Sequence, residues 1–334
     1  MEEEMEAYLN ASFGSDNFSF FLFEDFNSTF DVYFPIARLV AFIPFLLVCL
    51  VGLVGNVLVI IIILSSRKMW RTMNVFVFNL ALGDLFHMLC LLFFAVEIMH
   101  SLGIFMCKLY WTLASLATFS SSYFLAIMSI TVFLQVYYPA FSKKLNFTGA
   151  ALTSLGIWIL SLLLGIPFFL YAKVDDFSNC LISWPAPFWN IIFVSYRFAI
   201  AFLAPLILTG VCLILTQCRI RRLDQSSDPM VTEVKEDVVM IMVLSLVFIV
   251  FWLPTHLLEI VLGFTSNLYF SEGTYYIISI IPYLKSCVYP FIYGFLSRSF
   301  KDSYNRIFCC KKNPEGDKPP KTSNDGSDDK STAC

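Results

Sequence analysis

Apolar residues in this chain gather in long uninterrupted stretches rather than in the short alternating runs of a soluble domain. Seven stretches are long enough to cross a bilayer, at about 36–64, 73–98, 104–138, 149–172, 188–217, 238–263 and 274–296. A helix needs roughly 20 predominantly apolar residues to span the hydrocarbon. The third and fifth stretches exceed that length, so they are expected to tilt or to extend past the headgroups. Short polar connections separate them, and the one between the fifth and sixth is read as 218–237. After the seventh, residues 295–308 place Phe300, Tyr304 and Phe308 on one helical face with basic residues between them, the pattern of a short helix lying on the membrane surface. The expected fold is all-α: a seven-helix transmembrane bundle with a short amphipathic eighth helix. This divides the chain into an outer N-terminal segment 1–35, the bundle 36–296, the surface helix 297–310 and a tail 311–334. The tail is rich in Lys, Asp, Ser, Pro and Gly, the composition of a disordered segment.

Composition supports the membrane reading. Of 334 residues, 58% are hydrophobic and 14% charged, whereas soluble domains average about a quarter charged residues. So much apolar surface does not fit inside one aqueous core. Charge then sets the orientation. Basic residues cluster after the first stretch (Arg67, Lys68, Arg71), the third (Lys143, Lys144), the fifth (Arg219, Arg221, Arg222) and the seventh (Arg298, Lys301, Arg306, Lys311, Lys312). Before Arg38 there is no Lys or Arg, only acidic residues such as Glu2, Asp16, Glu24 and Asp31. Basic loops stay in the cytoplasm. The N-terminus is therefore expected outside a plasma membrane that the chain crosses several times. Three glycosylation sequons, at Asn10, Asn17 and Asn27, fall in that outer segment. A fourth, at Asn146, falls on the cytoplasmic side and should stay bare.

Two of the ten cysteines, Cys107 and Cys180, fall at outer positions, where an oxidising compartment allows a disulfide. Cys309 and Cys310 follow the amphipathic segment and are candidates for palmitoylation against membrane lipids. Catalytic chemistry has little to work with. There are three His, no glycine-rich phosphate loop, no metal-spaced His/Cys cluster and no nucleophile elbow. No enzymatic activity, cofactor, metal or nucleic-acid partner is expected.

One set of markers stands in order along the stretches: Gly55-Asn56-Val57; Asn79-Leu-Ala-Leu-Gly-Asp84; Cys107; Trp158 and Pro167; Pro205; Phe248-Ile-Val-Phe-Trp-Leu-Pro254, which includes Trp252; and Tyr289-Pro290-Phe-Ile-Tyr293. Together they resemble the rhodopsin-like (class A) G-protein-coupled receptors over about residues 36–308. The resemblance implies a receptor that passes ligand binding to a heterotrimeric G protein, to arrestin, or to both. It also implies departures. The family's Asp-Arg-Tyr at the end of helix three is replaced by Thr131, Val132 and Phe133. A family Tyr in helix five is replaced by Leu213, and the Asn of Asn-Pro-x-x-Tyr by Tyr289. Three parts of one polar switch are altered together, so altered or weakened coupling is expected. The alternative is a non-signalling decoy, scavenger or modulatory dimer partner on the same fold.

Lys285 lies five residues before Pro290, deep in the seventh helix, where a charge is costly unless paired. In the family, the position of Asp84 binds sodium with help from the Ser121 position and from helix seven. Lys285 is therefore expected to replace sodium as the partner of Asp84, within a polar core that also contains Asn56. A retinal-binding lysine would occupy the position of Tyr283, so the lysine present is on a different face. A transporter would show internal repeats, and none is visible. The Asp by which many amine receptors hold their ligand is replaced by Ala114. The remaining candidates for the outer ligand site are Arg197, His256, Glu259, Tyr283 and Glu97. Arg197 would bind a ligand carboxylate or else pair internally with Glu259. The acidic N-terminus favours a basic peptide or chemokine-like ligand.

Overall fold

The computed structural model describes residues 42–99, 103–142, 146–175, 180–186, 188–223, 229–264 and 272–309. Seven of its helices are long and apolar enough to cross a membrane. They are α1 (Phe42–Ser65), α2 (Thr72–Met99), α3 (Ile104–Tyr137), α4 (Phe147–Tyr171), α5, α6 (Pro229–Phe264) and α7 (Glu272–Leu296). The fifth, α5, runs through Phe188–Arg197, a π-helical turn Phe198–Leu203 and Ala204–Leu223. The amphipathic segment forms α8 (Arg298–Cys309). Its Phe300 is fully buried and stacks on Tyr293 at 5.8 Å, which seats the helix under α7. The sequons at Asn10, Asn17 and Asn27, the tail 311–334, Cys310 and the side chain of Cys309 lie outside the described residues.

Local sequence explains the irregularities. Pro205 has no N–H, and its ring would strike the carbonyl four residues back; the π-turn of α5 ends just before it. Prolines also interrupt the backbone ladder of α4 (Pro167), α6 (Pro254) and α7 (Pro282, Pro290). Asn146 caps α4 by accepting from the Gly149 N–H at 3.0 Å, so the sequon expected to stay bare begins at a helix cap.

The connection between α5 and α6 is shorter than the hydropathy pattern suggests. The two helices continue to Leu223 and from Pro229, not to 217 and from 238. Bilayer thickness limits the apolar stretch, not the helix. The charged turn Glu233–Asp237 is helical too, and Pro229 occupies the first turn, where a missing N–H costs nothing.

In the packed bundle, α3 passes through the centre and touches α2, α4, α5 and α6. Small residues let neighbours close in. A Cβ on Gly55 would come within 2.9 Å of Pro290 Cγ, so α1 meets α7 there with no room for a side chain. The Trp158 indole N–H donates to Asn79 Oδ1 at 2.8 Å, and Asn79 Nδ2 reaches Ser154 Oγ at 3.2 Å, which fastens α2 to α4. On the outer side, β1 (Ala172–Val174) pairs antiparallel with β2 (Cys180–Ile182), and the disulfide Cys107–Cys180 ties that hairpin to the top of α3.

Candidate functional site

Three layers of the bundle hold the residues singled out by the sequence. The outer layer is a cavity of about 230 Å³ lined by Ala114 on α3, Arg197 on α5, Trp252 and Glu259 on α6, and Tyr283 on α7. Arg197 and Glu259 form a direct ion pair across the α5–α6 seam. The internal pairing, rather than a free arginine, is thus the observed arrangement. Arg197 Nε and Glu259 Oε2 keep no hydrogen-bond partner, and neither does Trp111 Nε1 in the same wall. His256 is not among the residues that line this cavity. Its ring is buried among Phe198, Phe202 and Trp252, with centroids 5.9, 5.1 and 5.5 Å away. The i, i+3 spacing does bring it to Glu259, with Nδ1 3.7 Å from Glu259 Oε2, while the aromatic rings bury the imidazole. The side chain of Glu97 lies outside the described residues.

The middle layer is polar and sealed. Lys285 Nζ donates to Asp84 Oδ1 at 2.7 Å and to Ser121 Oγ at 3.1 Å. Asp84 and Lys285 are 0% and 1% exposed, so the charges meet away from water. Ser286 Oγ donates to the same Asp84 oxygen at 2.8 Å, and Asn56 Nδ2 donates to the Ser286 carbonyl at 2.8 Å. The ammonium also sits 4.9 Å from the centre of the Tyr289 ring. The residues do not fit the family's sodium. The ammonium already engages the Asp84 carboxylate and the Ser121 hydroxyl that would hold it, and it brings its own positive charge.

Two members of this layer were missed in the sequence. Ser286 is one. The other is His87, buried between Tyr283 (4.3 Å) and Trp252 (5.6 Å), with Nδ1 3.4 Å from Ser286 Oγ. His87 therefore links the cavity floor to the buried ion pair. The available signal was its place one helical turn after Asp84.

The inner layer is apolar where a polar switch was expected to be altered. Thr131 (1% exposed), Val132 (0%) and Leu213 (7%) are buried. Val132 and Leu213 share one core cluster with Ile241, Leu244, Phe248, Tyr289 and Tyr293. Thr131 Oγ1 returns to the Ile127 carbonyl of its own helix at 2.8 Å. Phe133 stacks on Tyr137 at 4.6 Å. Tyr289 donates its hydroxyl to the Leu244 carbonyl on α6 at 3.0 Å, at the position where the family has an Asn. Phe248 and Trp252 continue the aromatic column towards the cavity at 6.1 Å. Pro254 and Pro290 are the two prolines that free backbone groups beside it.

Comparison with known proteins identifies the family. Residues 55–293 match the 7 transmembrane receptor (rhodopsin family). The chain is 34% identical to the somatostatin receptor type 5 of Rattus norvegicus over 286 residues, 80% of this chain and 77% of that receptor. It is 31% identical to the rat type 4 receptor over 276 residues, 79% and 71% of the two chains. With the type 2 receptor of Mus musculus it shares 30% over 321 residues, 91% and 84% of the two. A seven-helix bundle, the outer disulfide, the ordered helix markers and these relatives lead to one conclusion: this plasma-membrane protein belongs to the rhodopsin family of seven-transmembrane receptors, on its peptide-receptor side.

Proposed function

We propose that the protein is a receptor for a peptide or small-protein ligand and that its coupling to G protein is weakened at the cytoplasmic end of α3. The ligand enters the outer cavity and meets the Arg197–Glu259 wall, Trp252 and Tyr283. The acidic N-terminal segment steers basic ligands towards it. The related receptors are named for somatostatin, a peptide, which supports this ligand class. A rearrangement of α5, α6 and α7 about Pro205, Pro254 and Pro290 carries the signal inwards, to G protein or arrestin.

The observation behind the weakened coupling is Val132. It is fully buried and packs with Leu213 in an apolar cluster, so α3 offers no charge to a cytoplasmic partner. The same patch favours a second reading, a decoy or modulatory partner that binds ligand without engaging G protein. The test places the wild type beside a Thr131→Asp, Val132→Arg variant and measures basal G-protein activation and arrestin recruitment. Low wild-type activity that rises in the variant supports weakened coupling. Robust wild-type activation rejects both readings, and no activation in either chain favours the decoy.

A further inference from the structure

Two features of the cytoplasmic face remain without a use: the acidic start of α6 and the arginine that precedes α2. The fold brings them together. The Arg71 guanidinium pairs with Glu233 and also donates to Asp237 Oδ2 at 3.2 Å. Glu233 and Asp237 are four residues apart and share a helix face, so one guanidinium engages both carboxylates. Glu236, between them in sequence, forms an ion pair with Arg298 at the start of α8, Oε1 to Nε 2.6 Å. The cytoplasmic end of α6 is thus held from the α2 side and from the α8 side.

Exposure separates the two holds. The Arg298 side chain is 75% exposed, and an ion pair so open to water contributes little. The Asp237 side chain is 10% exposed and that of Arg71 33%. Removing Arg71 would leave a nearly buried carboxylate without its cation. Moving α6 outwards hydrates that carboxylate, so loss of the arginine biases α6 towards the displaced position. Meanwhile α3 brings no charge to this end: Val132 belongs to the apolar cluster, and the uncharged Gln135 lines the groove beside Arg71 and Glu233.

We propose that Arg71 is a positioning residue that holds α6 against the bundle through Glu233 and Asp237, so that the closed cytoplasmic face rests on a hold between the start of α2 and α6. The hold is read directly as a distance, so its test does not depend on whether the protein engages G protein.

The full-length chain in nanodiscs, with Cys218, Cys309, Cys310 and Cys334 replaced by serine, is spin-labelled at Thr148→Cys on α4 and Thr232→Cys on α6, both exposed positions. Double electron–electron resonance then gives the distance distribution. Arg71→Ala is expected to raise the share of longer distances about two- to fivefold, the range that a partly exposed ion pair supports. Glu233→Gln combined with Asp237→Asn breaks the same hold from the other helix and should give the same shift, which keeps the test open if the first variant folds poorly. Arg71→Glu combined with Asp237→Arg should return the distribution towards the wild type. An unchanged distribution in the folded variants overturns the proposal. A shift that the charge swap leaves in place overturns it too, because packing rather than charge would then hold α6.

Discussion

Lys285 and Asp84 meet at 2.7 Å in the sealed middle of the bundle, where Ser286 donates to the same Asp84 Oδ1, Ser121 Oγ accepts from the ammonium, and Asp84 Oδ2 keeps no hydrogen-bond partner. The pair joins α7 to α2, two helices that also line the outer cavity through Tyr283 and His87. A cation is therefore built into the chain at the level where the family's bundle would bind one. Unlike a bound ion, the ammonium cannot diffuse away, because it is tethered to α7.

The first consequence concerns ions. Sodium should not stabilise this protein beyond the general effect of salt, since the ammonium already engages Asp84 Oδ1 and Ser121 Oγ. Thermal unfolding of the purified receptor, titrated with sodium chloride and in parallel with potassium chloride, is expected to give superimposable curves. A rise specific to sodium would show that the ion competes with the lysine.

The second concerns stability. Truncating one partner of a buried pair leaves an uncompensated charge, at about 3–5 kcal/mol. Lys285→Met should therefore lower thermal stability sharply, as should Asp84→Leu. The two together should cost less than either alone, because apolar replacement of both partners leaves no orphan charge. The reversed pair, Asp84→Lys with Lys285→Asp, should also lose less than either single change. Purely additive losses in these unfolding measurements would mean that the two side chains act independently.

A third prediction addresses the cavity wall. Arg197 and Glu259 have side chains 17% and 27% exposed. Their separation should cost roughly 1–2 kcal/mol, after allowance for water at the cavity mouth. Arg197→Met and Glu259→Gln are each expected to lower the unfolding temperature, and an Arg197→Glu, Glu259→Arg swap to restore part of it. The swap should leave ligand response impaired even where stability recovers, since a ligand meets the two charges in reversed positions. Full recovery of both would make the pair structural only.

Much of the fold was legible along the chain. Seven apolar stretches, basic cytoplasmic loops and one marker per helix were enough for the bundle and its orientation, because hydrocarbon leaves the backbone few alternatives to a helix. The amphipathic spacing of Phe300 and Tyr304 was enough for α8. The start of α6 was misplaced by nine residues because hydropathy reports where the membrane ends and not where hydrogen bonding stops.

Side-chain partners were legible only where chemistry left few choices. A lysine deep in α7 had to find a carboxylate, and Asp84 was a buried candidate already marked by the family pattern. His256 had no such compulsion, and an aromatic cluster assembled from α5 and α6 buries its ring. His87 and Arg71 gave no strong local signal. Their partners lie 199 and 166 residues away in sequence, at Ser286 and Asp237. The sequence by itself determined the helices, their sidedness and the loss of charge at Val132, since these follow from which residues water and lipid accept. Tertiary structure alone decided that Arg71 meets α6 and that His87 joins the cavity to the buried pair, because helix packing sets which distant side chains come within hydrogen-bonding reach.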